Sequence, residues 1–146
     1  MKEDMFQKKQ MEDAYQFMHD AKYEKALEIW QQIAELPPQT CEKWFHLGLC
    51  EFELQQFEKA ANAFVNSSMF AEPASKECEE GIIRASIALL HVKKVTEVFE
   101  LLQQAIQHDR NLISRISDID PLKKLVENLP EFQQLISKRT SPGAQR

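Results

Sequence analysis

The chain has 146 residues, of which 43% are hydrophobic and 28% charged, so it can form one domain with a core of its own. Its net charge of −5 disfavours nucleic acid and anionic membrane surfaces as partners, because both attract clustered basic residues. Only three glycines are present, and helix-forming residues dominate, so the composition predicts an all-α fold.

Six helices and a helical tail are predicted in chain order. Apolar spacing and the positions of the prolines predict helices over residues 5–19, 22–36, 41–54, 57–70, 75–92 and 95–108. Thr40 is the predicted N-cap of the third helix. Residues 111–138 predict two or three short helices, and residues 139–146, which contain Thr, Ser, Pro and Gly, predict a flexible C-terminus.

Two stretches of the chain recur 34 residues apart. Residues 21–33 read AKYEKALEIWQQI and residues 55–67 read QQFEKAANAFVNS, each with an aromatic residue, Glu-Lys-Ala and a second aromatic. This period is typical of a helix–turn–helix unit in a stacked array. A third unit fits only after a further shift of four residues, about one helical turn. The shift predicts that the first helix of the third unit is extended by one turn, over residues 75–79.

The small and aromatic residues of these units resemble the tetratricopeptide repeat family. The first unit carries Ala14, Phe17, Tyr23, Ala26, Trp30 and Pro38; the second carries Trp44, Leu47, Gly48, Phe52, Phe57, Ala60, Phe64, Ser67 and Pro73; the third carries Ser86, Val98, Leu102 and Ala105. The resemblance implies an all-α, right-handed helical-repeat solenoid of three antiparallel helix pairs. The repeat array would occupy residues 1–110, with units at about 7–40, 41–74 and 75–110.

The tail that follows the array looks like a segment that caps such stacks. A stack of helix pairs exposes the apolar face of its last pair unless another element covers it. Residues 111–138 would therefore form C-terminal capping helices, and the apolar residues that would cover the last repeat are Leu122, Leu125, Leu129, Phe132 and Leu135.

The sequence contains none of the common catalytic motifs that we sought: GxGxxG, the P-loop, HExxH and GxSxG. His46 and Cys50 have the i, i+4 spacing of two metal ligands, but no third ligand is in view and zinc needs three or four. We therefore predict that the protein is not an enzyme and uses no cofactor or metal.

The three cysteines and the start of the chain bear on location. Cys41, Cys50 and Cys78 are odd in number and lack CxxC spacing, so they predict neither a disulfide framework nor a zinc site. The first ten residues are charged and no apolar region follows them, so we expect no signal peptide. No apolar run approaches the length of a membrane span, so we expect no membrane insertion. A cytoplasmic protein is predicted.

In proteins of this family the first helix of each pair lines a concave groove. The predicted partner-binding residues in that groove are Met11, Tyr15, Met18, Phe45, His46, Leu49, Phe52, Ile83, Arg84 and Ile87. Some of them could instead be covered by the tail or by a sister subunit. Some related domains bind the acidic C-termini of chaperones through a clamp of basic and Asn side chains. At the matching positions of this chain, only Arg84 fits that clamp, so we do not expect an acidic C-terminus as the ligand.

These observations predict a non-enzymatic protein–protein interaction module that binds an apolar extended or helical segment of another protein. In size, acidity and layout, and in segments such as FHLGLCEFELQQFEKAANAF, the chain is similar to class II type III secretion chaperones. Those proteins keep hydrophobic translocators soluble before export. The alternative is a structural homodimer or assembly scaffold whose apolar face is consumed by self-association.

Overall fold

A computed structural model of the protein describes residues 5–120, 122–124, 130 and 133–134. The helices with defined bounds are α1 (Met5–His19), α2 (Tyr23–Ile33), α3 (Cys41–Glu53), α4 (Phe57–Met69), α5 (Lys76–His91), α6 (Val95–His108) and α7 (Leu112–Ser117). No strand occurs among the residues just given. The predicted all-α class is confirmed.

The second helix ends earlier than the sequence predicts, at Ile33 rather than Leu36. The Leu36 N–H group bonds to the Ile33 carbonyl at 3.1 Å, which is the tighter turn of a fraying helix end. Pro37 disfavours helical backbone at the residue before it and has no N–H group of its own. The apolar pattern continues through Leu36, but the backbone does not follow it.

The turn inside each helix pair has the same geometry. Ala21, Gln55 and Lys93 have φ angles of 60°, 63° and 62°, and the N–H group of the residue after each bonds to a carbonyl five residues earlier, at 2.7, 2.8 and 3.0 Å respectively. This left-handed turn is a common way to end a helix. The spacings of 34 and 38 residues between these positions confirm the four-residue shift in the third unit. Consistently, α5 has 16 residues and α3 has 13.

Each helix packs chiefly against its neighbours in the sequence, and α4 makes the most extensive contacts, with α3 on one side and α5 on the other. Buried apolar residues form two clusters. The first surrounds Trp30 between α1, α2 and α3; the second surrounds Phe64 and extends through α5, α6 and α7. Trp30 and Phe64 are almost fully buried.

Two glycines allow the close approach of α4 to its neighbours. A Cβ atom at Gly48 of α3 would lie 2.8 Å from the Phe64 ring. A Cβ atom at Gly81 of α5 would lie 2.7 Å from the Phe64 carbonyl oxygen. The sequence pattern indicates the close contact at Gly48, but it does not mark Gly81.

A buried lysine joins the first two helix pairs. Lys43 is fully buried, and its ammonium donates hydrogen bonds to Gln7 Oε1 at 2.7 Å, to the Leu36 carbonyl at 3.2 Å and to the Pro38 carbonyl at 2.9 Å. Its backbone N–H group donates to Thr40 Oγ1 at 3.2 Å, which confirms the predicted N-cap. The lysine therefore ties α1, the α2–α3 loop and α3 together.

The beginning of the tail packs on the last helix pair. Leu112, Ile113, Ile116 and Leu122 are buried in the second cluster. Arg115 adds ion pairs to α5, with Nη1 3.0 Å from Glu79 Oε1 and Nη2 2.9 Å from Glu80 Oε1. The predicted capping residues Leu125, Leu129, Phe132 and Leu135, and the predicted flexible end at 139–146, lie outside the described residues.

Across the described part of the chain, none of the helices combines the length and the apolar character that crossing a bilayer requires.

Candidate partner-binding groove

Side chains from α1, α3 and α5 meet along one face of the protein. The rings of Tyr15 and His46 have centroids 4.9 Å apart, and those of His46 and Phe45 are 5.7 Å apart. The Arg84 guanidinium lies 5.4 Å from the centroid of the Phe45 ring. Four of the predicted groove residues therefore form a continuous row, which we call the aromatic row.

The aromatic row is held from behind and from the sides. His46 stacks on the buried Trp30 at 5.3 Å, and its Nδ1 lies 2.8 Å from the Glu42 carbonyl oxygen. The Tyr15 hydroxyl donates a hydrogen bond to Glu42 Oε2. Phe45 meets the core residue Phe64 edge to face at 5.5 Å. These contacts fix the ring orientations, so a partner would meet a preformed surface.

A second aromatic group lies toward the C-terminal ends of α3 and α5. Phe52 meets Phe57 at 5.0 Å and His91 at 5.2 Å, and the Phe57 and His91 rings stack at 4.3 Å. Phe52 is thus held by α4 and α5 together. Three more of the predicted groove residues, Met18, Leu49 and Ile87, are half-buried and pack on the edges of the two core clusters.

A cavity of about 340 Å³ opens between the N-terminal halves of α3 and α5. It is lined by Cys41, Glu42, Phe45, His46, Glu77 and Glu80. The cavity thus places an aromatic surface beside three acidic residues.

The three acidic residues around the cavity differ in their surroundings. Glu42 and Glu77 are exposed to solvent. Burial opposes ionisation of Glu80, but the hydrogen bonds from Arg115 and Arg84 outweigh that effect and lower the pKa of Glu80. Glu80 is therefore ionised at neutral pH. Its carboxylate is already paired with Arg84 and Arg115, so Glu42 and Glu77 supply most of the negative potential at the opening of the cavity.

Two predicted groove residues do not belong to this surface. Met11 and Ile83 are 7% and 2% exposed and lie within the first and second core clusters. They occupy the same position in their repeats as Phe45, which is half-buried. The smaller Met11 and Ile83 side chains are covered by the adjoining helices, so they offer a partner almost no surface and are core residues.

Of the residues that line the cavity, Phe45 and His46 are among the predicted partner-binding residues, and Cys41, Glu42, Glu77 and Glu80 are not. Glu77 lies one turn before Glu80 on α5 and lines the same opening. Extending the groove positions by one turn, in step with the predicted extension of α5, would have identified it.

Among the described side chains, no third metal ligand joins the His46 and Cys50 pair. Cys50 is fully buried, and burial raises the pKa of its thiol to about 12. Over the described ranges, no group of three or more His, Cys, Asp and Glu side chains is placed to hold a metal ion.

No protein-family model matches the chain, and no curated protein matches it.

Proposed function

We propose that the chain is a non-enzymatic protein-binding module of the tetratricopeptide type, a right-handed stack of three antiparallel helix pairs. Its groove along α1, α3 and α5 would hold an apolar segment of a partner protein. The stack is supported by the repeated turns at Ala21, Gln55 and Lys93 and by packing between helices that are neighbours in the sequence. Nearest-neighbour packing of this kind is typical of repeat arrays.

The observation that carries the proposal is the cavity between α3 and α5. Phe45 and His46 offer it an aromatic wall, and Glu42 and Glu77 add exposed carboxylates. An apolar side chain can fill the cavity while a lysine or arginine beside it pairs with a carboxylate. The groove therefore favours an apolar partner segment with basic residues over an acidic one.

A chaperone or adaptor role fits such a surface. By covering an apolar segment of its partner, the module would keep that partner soluble until it is handed on, as in the secretion chaperones that the sequence resembles. Cys41, Cys50 and Cys78 are all unpaired, which is compatible with action in the reducing cytoplasm.

The alternative is a homo-oligomeric scaffold, and one observation favours it. Met5 and Phe6, at the start of α1, are 84% and 69% exposed. Large exposed apolar side chains that lie together often mark a contact with another protein. A second copy of the chain could cover them and bring the two grooves into one assembly.

The groove proposal is tested with the full chain immobilised as bait for native cytoplasmic proteins, followed by binding measurements on a purified partner. Glu77→Lys reverses an exposed charge at the cavity, and Glu100→Lys reverses an exposed charge on α6 as the matched control. We expect Glu77→Lys to weaken binding at least about tenfold, or about 1.4 kcal/mol, and Glu100→Lys to leave it unchanged.

Circular dichroism and melting curves establish that both variants remain folded. Equal binding by the wild-type protein and Glu77→Lys would place the partner on another surface. Sedimentation at decreasing protein concentration tests the alternative. A dimer that persists when the partner is added, and that Phe6→Ser dissociates, would favour the scaffold.

A further inference from the structure

A second apolar cleft, of about 490 Å³, lies on the other side of α5. It is bounded by α4, α5, α6 and α7, and its apolar wall includes Val65, Met69, Ile82, Leu101, Ala105 and Leu112. On α5, the cleft is lined by Cys78, Glu79 and Ile82, whereas the groove cavity is lined by Glu77 and Glu80. The two sites therefore use different faces of the same helix.

The apolar surface of the cleft continues into solvent at the end of α4. Met69, which lines the cleft, is 71% exposed, and the next residue, Phe70, is 45% exposed. Such side chains are normally buried, and their exposure beside a cleft lined mostly by apolar residues is typical of a surface that another chain covers. The cleft is also large enough to accept several side chains.

One edge of the cleft carries the Asp109 carboxyl group. Asp109 Oδ1 accepts from the Asn111 N–H group at 3.1 Å. Asp109 Oδ2 is buried.

Glu79 lines the same edge and is 8% exposed. Hydrogen bonding with the Asp109 carboxyl group is the largest cause that raises the pKa of Glu79, ahead of burial, while Arg115 opposes the shift. Glu79 can donate to Asp109 only when it is protonated, and the pair then still carries one negative charge. Arg115 is already engaged with Glu79 and Glu80 on α5.

We propose that this cleft is a second docking site, for a partner segment with several apolar side chains and one lysine or arginine. The apolar side chains lie between α4 and α6, and the cation lies at the cleft edge beside Asp109. This inference does not depend on the groove, since the two faces of α5 can be occupied separately.

The test uses the full chain and three fluorescein-labelled peptides of sequence Ala-Leu-Met-X-Leu-Ala, in which X is Lys, Gln or Glu. Fluorescence anisotropy reports their affinities. We expect the Lys peptide to bind at least about tenfold more tightly than the Glu peptide, because the Glu peptide would place a like charge beside Asp109. The Gln peptide should lie between them.

Asp109→Asn should reduce the Lys-to-Glu preference to about threefold or less, because it removes the charge that distinguishes the two peptides. The matched control Asp118→Asn, at an exposed aspartate after α7, should leave the preference unchanged. Ala105→Phe should fill the cleft and weaken the binding of all three peptides by about tenfold or more.

Several results would overturn this assignment: equal affinity for the Lys and Glu peptides, a preference that survives in Asp109→Asn, or no binding by about 1 mM peptide. Changes in the backbone amide chemical shifts of the wild-type protein when peptide is added give a second measurement, which does not depend on whether Ala105→Phe folds. Shifts on peptide addition should concentrate in α4, α5 and α6, and shifts confined to α1 and α3 would place the peptide in the groove instead.

Discussion

Replacing Gly81 by alanine adds one methyl group where α5 meets α4. The new Cβ atom would lie 2.7 Å from the Phe64 carbonyl oxygen, 3.1 Å from Ser68 Cβ and 3.2 Å from Ser68 N, whereas ordinary contacts begin near 3.4 Å. Two of these three atoms belong to the α4 backbone, so no side-chain rotation relieves them. The two helices must separate by about 0.7 Å at this point.

Two effects of opposite sign set the magnitude of Gly81→Ala. Overpacking a well-packed contact costs about 1–3 kcal/mol, and the upper half of that range applies because backbone must move. Alanine gains about 1 kcal/mol over glycine in the interior of a helix. We therefore expect a net loss of about 1–2 kcal/mol in the free energy of unfolding. For a domain of this size the melting temperature should fall by about 3–8 °C.

Urea denaturation followed by circular dichroism measures this loss, and an unchanged m-value shows that the same surface is exposed on unfolding. Gly48→Ala is the comparison, because its Cβ atom would meet the Phe64 ring rather than backbone. Since a ring can tilt, Gly48→Ala should cost less than Gly81→Ala. A rise in the unfolding midpoint of Gly81→Ala would show that helix propensity decides the outcome, and the argument from close contact between α4 and α5 would fail.

Three further substitutions test other features. Lys43→Met should lower the free energy of unfolding, measured in urea, by about 1–3 kcal/mol, because it leaves buried carbonyl groups without donors. The control Lys59→Met, at an exposed lysine, should not lower it. Equal effects of the two substitutions would refute the structural role of Lys43. Lys93→Gly should raise the melting temperature, with a gain of up to about 1 kcal/mol, because it relieves a φ angle of 62°; Lys94→Gly, at a φ of −93°, should bring no gain. Burial raises the pKa of Glu51 to about 7, from 4.5. The folded protein therefore binds this proton more tightly than the unfolded chain, so stability should fall as pH rises between those values. Glu51→Gln should remove this dependence and stabilise the protein at pH 8 by up to about 3 kcal/mol, and an unchanged pH profile in urea titrations would contradict the assignment.

The helix pairs could be predicted because small and aromatic residues recur along the sequence at the length of one helix pair. Ala26 and Ala60 mark the second helices of the first two pairs, and the shift of the third pattern predicted a longer α5. Lys43 could not be recognised, because a lysine in an amphipathic helix normally faces solvent. Its burial depends on carbonyl oxygens of the preceding loop, whose position follows from tertiary packing.

The groove was predictable as a face but not residue by residue. Repeat position placed Tyr15, His46 and Arg84 on one side, and their side chains do form one row. It could not distinguish Phe45 from its counterparts Met11 and Ile83, since exposure there depends on side-chain size and on the covering helix. The cleft beside Asp109 could not be predicted, because its size depends on how closely α4, α5, α6 and α7 pack together.

Packing between sequence neighbours also has a consequence for how the chain folds. Proteins whose contacts are local along the chain fold fast, because little loop-closure entropy is lost before contacts form. Folding should begin around α4, which has the most extensive contacts, and spread outward toward α1 and α7. Amide hydrogen exchange should then be slowest in α4 and fastest in the terminal helices. A ligand that contacts α1, α3 and α5 together would slow hydrogen exchange in α1. Occupancy of the groove would therefore determine how many helices of the array are folded at any moment.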